Sequence, residues 1–317
     1  MAVLLQGGVA PATELPIDHE VLCRSETSCR ITLIARLPHA PFPYNGVVGD
    51  TDQPFFDHTD PISGQPVHTV SGRSLYPESP HYRDNRVLLH LPPAFDPDSP
   101  FQILLFFHGH HSEIWRTLVK EMALLEQINA TNRNLVLVAP QLALDAADSS
   151  PGKLYRPKGV SNMLGDLSRV LTKELGRKFA DRFKRAPVIL VAFSGGYRAL
   201  AYTLDRGFAM KRERDKRLRG VILLDALYGD PEKYATWLRH PRRRSFFVNL
   251  YGPSSASLSE QLKQGLAKHG PPWHDALGMK IRPSGIYSLA VATPHESIFL
   301  EGPPHWPLVE ILKRVGN

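Results

Sequence analysis

Cysteine is nearly missing from this sequence of 317 residues, which holds two, Cys23 and Cys29. So few rule out a disulfide-framed fold, and a structural zinc site needs more ligands at tighter spacing. The pair can bridge a short hairpin loop, which belongs to an oxidising compartment, or remain two thiols in the cytoplasm. Long apolar runs are missing too. The longest, such as residues 101–107, fall far short of the roughly 18 residues that a membrane helix needs, so no membrane span is expected. The opening MAVLLQ has neither the basic start nor the apolar length of a secretory leader. Cytoplasmic location is therefore the default expectation, with periplasmic or secreted the alternative if a leader was removed and the cysteines are bridged. No internal repeat is visible.

What is present suits a globular protein able to bury a full core. Hydrophobic residues make up 42% of the chain and charged residues 22%, ordinary for a globular protein. The net charge of +7 is clustered, in residues 211–219 and in Arg242-Arg243-Arg244. The first run is mixed with acids and no aromatic residues interleave it, so a solvated surface is expected and no nucleic acid. Oligomeric state is not readable.

Residues 1–85 are rich in Pro, Gly, Asp and His, and only Ile31 to Leu37 reads clearly as a strand. This stretch is expected to be an extension packing on the main sheet. Phe55-Phe56-Asp57-His58-Thr59-Asp60-Pro61 reads as a turn with a local Asx bond, with Asp57, His58 and Asp60 set aside as a metal site. From residue 86 to 317 apolar strands and amphipathic helices alternate. That pattern predicts a single α/β domain with a mostly parallel, doubly wound sheet. Strands are expected near residues 86–91, 101–107, 134–138, 188–193, 220–225, 245–250 and 286–291. A helix capped by Ser112 is expected over residues 113–129, with Trp115, Leu118, Met122 and Leu125 on one face. A long polar stretch, residues 141–159, follows the third of these strands.

The chain is organised around Val188-Ile189-Leu190-Val191-Ala192-Phe193-Ser194-Gly195-Gly196-Tyr197. A buried strand ends on a serine flanked by small residues, and a helix begins directly behind it. That is the form of a nucleophile elbow, with Ala192 where the usual G-x-S-x-G has its first glycine. The helix start behind Ser194 aims backbone N–H groups at a place where negative charge would develop. In open parallel sheets function gathers at the carboxyl ends of strands. Four ends carry suggestive residues: His108-Gly109-His110-His111, Ser194, Asp225, and Thr293-Pro294-His295.

The order Ser194, Asp225, His295 resembles the nucleophile–acid–base order of the α/β-hydrolase superfamily, over roughly residues 86–317. The resemblance implies an α/β-hydrolase-type sheet and a Ser194–His295–Asp225 triad. It also implies an oxyanion hole from the N–H groups of His110 and Gly195. Most relatives carry the acid one strand later, but that end here reads Tyr251-Gly252-Pro253-Ser254-Ser255, so Asp225 is favoured and Asp230 is the reserve. His295 is favoured as base, with His305 the reserve. The activity implied is that of a serine esterase acting on a small-molecule carboxylic ester through an acyl-enzyme, without cofactor or metal. A metal held by His108, His110 and His111 is the sharper but less favoured alternative for that loop. An amidase, peptidase or thioesterase using the same triad stays open, as does a non-catalytic binding protein on this fold. With no inserted cap in the core, the cleft is expected to be open. Residues 141–159 and the N-terminal extension would shape it, with Tyr155, Tyr197, Tyr228 and Trp273 as candidate walls.

Overall fold

The structure is a computed structural model that describes residues 17–25, 29–208, 217–267, 272–300 and 306–316. His305 and most of the basic run at 211–219 lie outside the described residues. Thirteen strands are present among them: β1 (Asp18–Ser25), β2 (Cys29–Arg36), β3 (His58–Thr59), β4 (Pro66–Val70), β5 (Ser74–Pro77), β6 (Arg86–Leu91), β7 (Gln102–Phe107), β8 (Leu135–Pro140), β9 (Val188–Phe193), β10 (Leu218–Leu224), β11 (Phe246–Tyr251), β12 (Trp273–His274) and β13 (Ile286–Ala290).

Ten of these strands form one sheet in the order β1-β2-β6-β8-β7-β9-β10-β11-β13-β12. From β8 to β12 every neighbouring pair is parallel, whereas β6 runs against both β2 and β8. β1 and β6 are thus the two strands that run against the other eight, and the mostly parallel sheet is of the α/β-hydrolase type. The central strands are apolar on both faces because helices cover both. Leu105, Leu190 and Leu223 pack on one side with Leu164, Leu167 and Leu171 of the helix Gly159–Phe183. Their neighbours Leu104, Val191 and Ile222 pack on the other, against Ile128, Leu308 and Ile311. This alternation is the period of two that a pleated strand imposes.

The extension contributes more structure than its composition announces. β1 and β2 form an antiparallel hairpin added to the sheet edge, and Cys23 is disulfide-bonded, Cys29 being the only other cysteine of the chain. β3, β4 and β5 form a separate antiparallel sheet. It rests on an aromatic cluster of Phe42, Tyr44, Phe55, Tyr82, Tyr155 and Tyr202. The expected Asx bond is made at the end of the stretch, where Asp60 accepts the N–H groups of Ile62 and Ser63, but His58–Thr59, expected within the turn, form β3.

The helix expected over 113–129 is not continuous. A π-helical stretch spans Ile114–Glu121 and an α-helix spans Leu124–Ala130, separated by Ala123 in the left-handed region at φ 48°. Glu113 caps the first piece by accepting the Arg116 N–H, while Ser112 donates instead to the His110 carbonyl. Trp115 is left exposed. The wider π turn brings Ile114 and Leu118 inward, so the apolar face does not follow the spacing of a regular α-helix.

Candidate active site

β9 ends at Phe193, and Ser194 sits at φ 51°, a strained value for a serine. The turn works because its neighbours have no side chain. A Cβ on Gly196 would lie 2.3 Å from the Phe107 carbonyl oxygen, and one on Gly109 would lie 2.8 Å from the Ser194 Cβ. The first small position tolerates Ala192, which is fully buried.

His295, in the turn after β13, places Nε2 2.9 Å from Ser194 Oγ and Nδ1 2.6 Å from Asp225 Oδ2. The Phe193 ring stacks on the imidazole at 5.1 Å between centroids and 9° between planes. Asp225 follows β10 at φ 43° and is completely buried. Burial opposes its ionisation. Hydrogen bonds from His295, Ser254, Ser255 and the Gly252 N–H outweigh that and hold the carboxyl well below the usual carboxylate range. Those last three donors lie in the loop after β11. That loop here surrounds the carboxylate that the preceding strand supplies. Tyr228 completes the surround, its hydroxyl 2.9 Å from Ser254 Oγ and 3.1 Å from both Asp225 Oδ2 and His295 Nδ1. Burial and the charge of Asp225, opposed by the bond to Ser254, push this phenol up to about 12.

The histidine loop after β7 separates into three fates. His108 is buried, donates from Nδ1 to the Gly109 carbonyl at 2.7 Å, and accepts at Nε2 from the Leu142 N–H and the Gln141 amide. With two donors aimed at Nε2 the ring must be neutral, and burial accordingly pushes its pKa down to about 4. Tying down the Gly109 carbonyl turns the opposite end of that trans peptide, the His110 N–H, the other way. The His110 ring lies over Gly195, where an added Cβ would come within 2.3 Å of it, and its Nε2 is 2.8 Å from Ser149 Oγ. Burial pushes its pKa down as well. His111 is exposed at φ 52°. The three rings thus diverge, and no group of three His, Cys, Asp or Glu among the described residues could hold a metal ion.

Ser194 and His295 open into a cavity of about 870 Å³. Its other walls come from Val48, Gln53, Pro54, Phe56, Asp57 and residues 68–71 of the extension and from Ala147, Asp148, Ser149 and Ser150 of the long polar stretch. Tyr197 and Tyr228 line it as expected, whereas Tyr155 is buried in the aromatic cluster and Trp273 stands against Phe247. Asp230 is on the far side of an ion pair with Arg198 at 3.2 Å. It sits at the start of the helix Pro231–Leu238 without making a side-chain cap, because its carboxylate is turned to that guanidinium. Sequence reasoning missed Tyr228 as a neighbour of Asp225, as well as Ser254, Ser255, Ser149 and Arg198. The Pro-Ser-Ser after a buried strand was the only signal of a hydroxyl cluster.

No protein-family model and no curated protein matches the sequence. Among solved structures the chain is similar to a feruloyl esterase module from Clostridium thermocellum, at 15% identity over 84% of this chain and 96% of that one, with a TM-score of 0.42. It is similar to an S-formylglutathione hydrolase from Agrobacterium tumefaciens at 8% identity, covering 93% and 99%, with a TM-score of 0.45. A fluorophosphonate-binding serine hydrolase F from Staphylococcus aureus stands at 10% identity, 74% and 94% coverage, and a TM-score of 0.45.

Proposed function

We propose that this α/β-hydrolase fold carries a serine hydrolase that cleaves a carboxylic ester, with Ser194 as nucleophile, His295 as base and Asp225 as acid. One observation carries the reading: a strained, cavity-facing serine stands 2.9 Å from an imidazole whose other nitrogen is 2.6 Å from a fully buried carboxylate. A serine hydroxyl is a poor nucleophile at its own pKa, and the imidazole removes its proton as the oxygen attacks the substrate carbonyl. Asp225 fixes the tautomer with hydrogen on Nδ1 and stabilises the imidazolium that results. The N–H groups of His110 and Gly195 receive the developing oxyanion, each such donor contributing about 3 kcal/mol in comparable sites. The imidazolium gives its proton to the leaving alcohol as the carbon–oxygen bond breaks. Water, deprotonated by His295, then attacks the acyl-enzyme and releases the acid and Ser194. His108 supports the oxyanion site at one remove through the Gly109 carbonyl.

A fluorophosphonate probe tests the assignment. It is expected to label one serine in the native protein and none in Ser194→Ala, and an unlabelled native protein points instead to a binding protein. His295→Ala and His305→Ala, compared on one p-nitrophenyl ester, separate the two candidate bases: an active His295→Ala with a dead His305→Ala overturns the choice. Esters, amides and thioesters of one acyl group, assayed side by side, rank the leaving group.

A further inference from the structure

The cavity beside Ser194 carries one fixed cation. Arg198 lies four residues beyond Ser194, one turn on along the elbow helix, and both line the same space. Its guanidinium is held from two sides. Nε donates to Asp230 Oδ2 at 3.2 Å and Nη2 to the Tyr197 hydroxyl at 3.0 Å, with the plane of the group over the Tyr197 ring at 5.4 Å. Nη1 donates to no described residue. The side chain remains 36% exposed, a large share for a group anchored twice. The hydroxyls of Ser149 and Tyr197 and the ring of His110 line the wall beside it.

We propose that Arg198 is a specificity-determining residue and that the substrate is an ester bearing a carboxylate within reach of its free edge. This inference rests on the hydrolase reading above and deepens it. An arginine fork fixed in orientation is the side chain best matched to a planar carboxylate, because no rotamer freedom is lost when the anion arrives. Asp230 sets that orientation. Two carboxylates line the cavity and already have donors: Asp148 accepts from the Tyr82 hydroxyl and the Ser150 N–H, and Asp57 accepts from the Thr69 N–H. Asp230 already balances part of the guanidinium's charge, so a singly charged group fits this edge better than a doubly charged phosphate.

Two ester pairs test this. In the first, p-nitrophenyl glutarate with its distal carboxyl free is compared with the same ester capped as the methyl ester. In the second, a butyrate ester of a nitrophenol bearing a carboxylate is compared with its methyl-capped form. The expected result is that in at least one pair kcat/KM favours the free carboxylate by about tenfold or more, the size of one charge-assisted hydrogen bond. In Arg198→Gln that ratio falls to near one, while Arg198→Lys keeps part of it. The native ratio decides alone if the variants do not fold. A ratio near or below one in both pairs, with the capped esters turned over and Ser194 labelled by fluorophosphonate, overturns the inference and leaves the hydrolase intact. No label and no turnover of any of the four esters removes the hydrolase reading first.

Discussion

At the scale of single residues, the site separates chemistry from support. Ser194→Ala is expected to lower ester turnover by about 10³-fold or more while leaving the melting temperature nearly unchanged, since a small hydroxyl leaves a well-anchored turn. Asp225→Asn should cost a similar factor in kcat, because the amide presents an N–H where the imidazole needs an acceptor. Tyr228→Phe removes one of several donors at the carboxylate, and Ser254, Ser255 and Gly252 keep theirs. A fall in kcat of about three- to tenfold with little change in KM is the expected outcome, and steady-state kinetics on one ester reads it.

Elements explain what was legible in the sequence and what was not. Buried strands declare themselves, because covering both faces demands unbroken runs such as Val188-Ile189-Leu190-Val191, and β6, β9 and β13 begin where the pattern places them. The elbow was equally readable, since the contact of Gly196 with the Phe107 carbonyl excludes larger residues. Side chains that converge from different loops leave no periodic trace. Tyr228 approaches Asp225 from one loop and Ser254 from another, and nothing in either stretch names the partner. The interrupted helix after β7 was hidden for another reason: Ala123 is a strong helix former placed where the backbone is left-handed. Ala123→Gly relieves that strain and should raise the melting temperature by a few degrees, as about 1 kcal/mol does in a protein of this size. Calorimetry checks it, and an unchanged or lower midpoint shows that the residue carries no strain.

For the molecule as a whole, acid is the condition that matters most. His108 is neutral in the fold with a pKa near 4, against an ordinary 6.5 in the unfolded chain. Above 6.5 neither state holds the proton and the group contributes nothing. Between 6.5 and 4 the unfolded chain binds a proton that the folded one refuses, so stability drops as pH falls, by about 3 kcal/mol over the window. Asp225 acts lower: its depressed pKa gives stability present above the ordinary carboxylate value and lost as pH falls below it. Urea midpoints measured at pH 7 and pH 4.5 should therefore differ, the acid one being lower, and a flat profile contradicts the buried neutral imidazole.

The cavity is assembled from separately rooted pieces of chain. Its reactive floor hangs from the ends of β9, β10 and β13, while much of its roof belongs to residues 48–71, anchored by stacked rings and by Asp50, which ties to Arg206, Lys233 and Tyr202. Exchange of that roof for one of another shape would redirect which molecules are admitted without disturbing the bond-breaking machinery beneath. The part of selectivity that this roof sets can thus drift apart from reactivity, while the part set by Arg198 stays tied to the elbow helix.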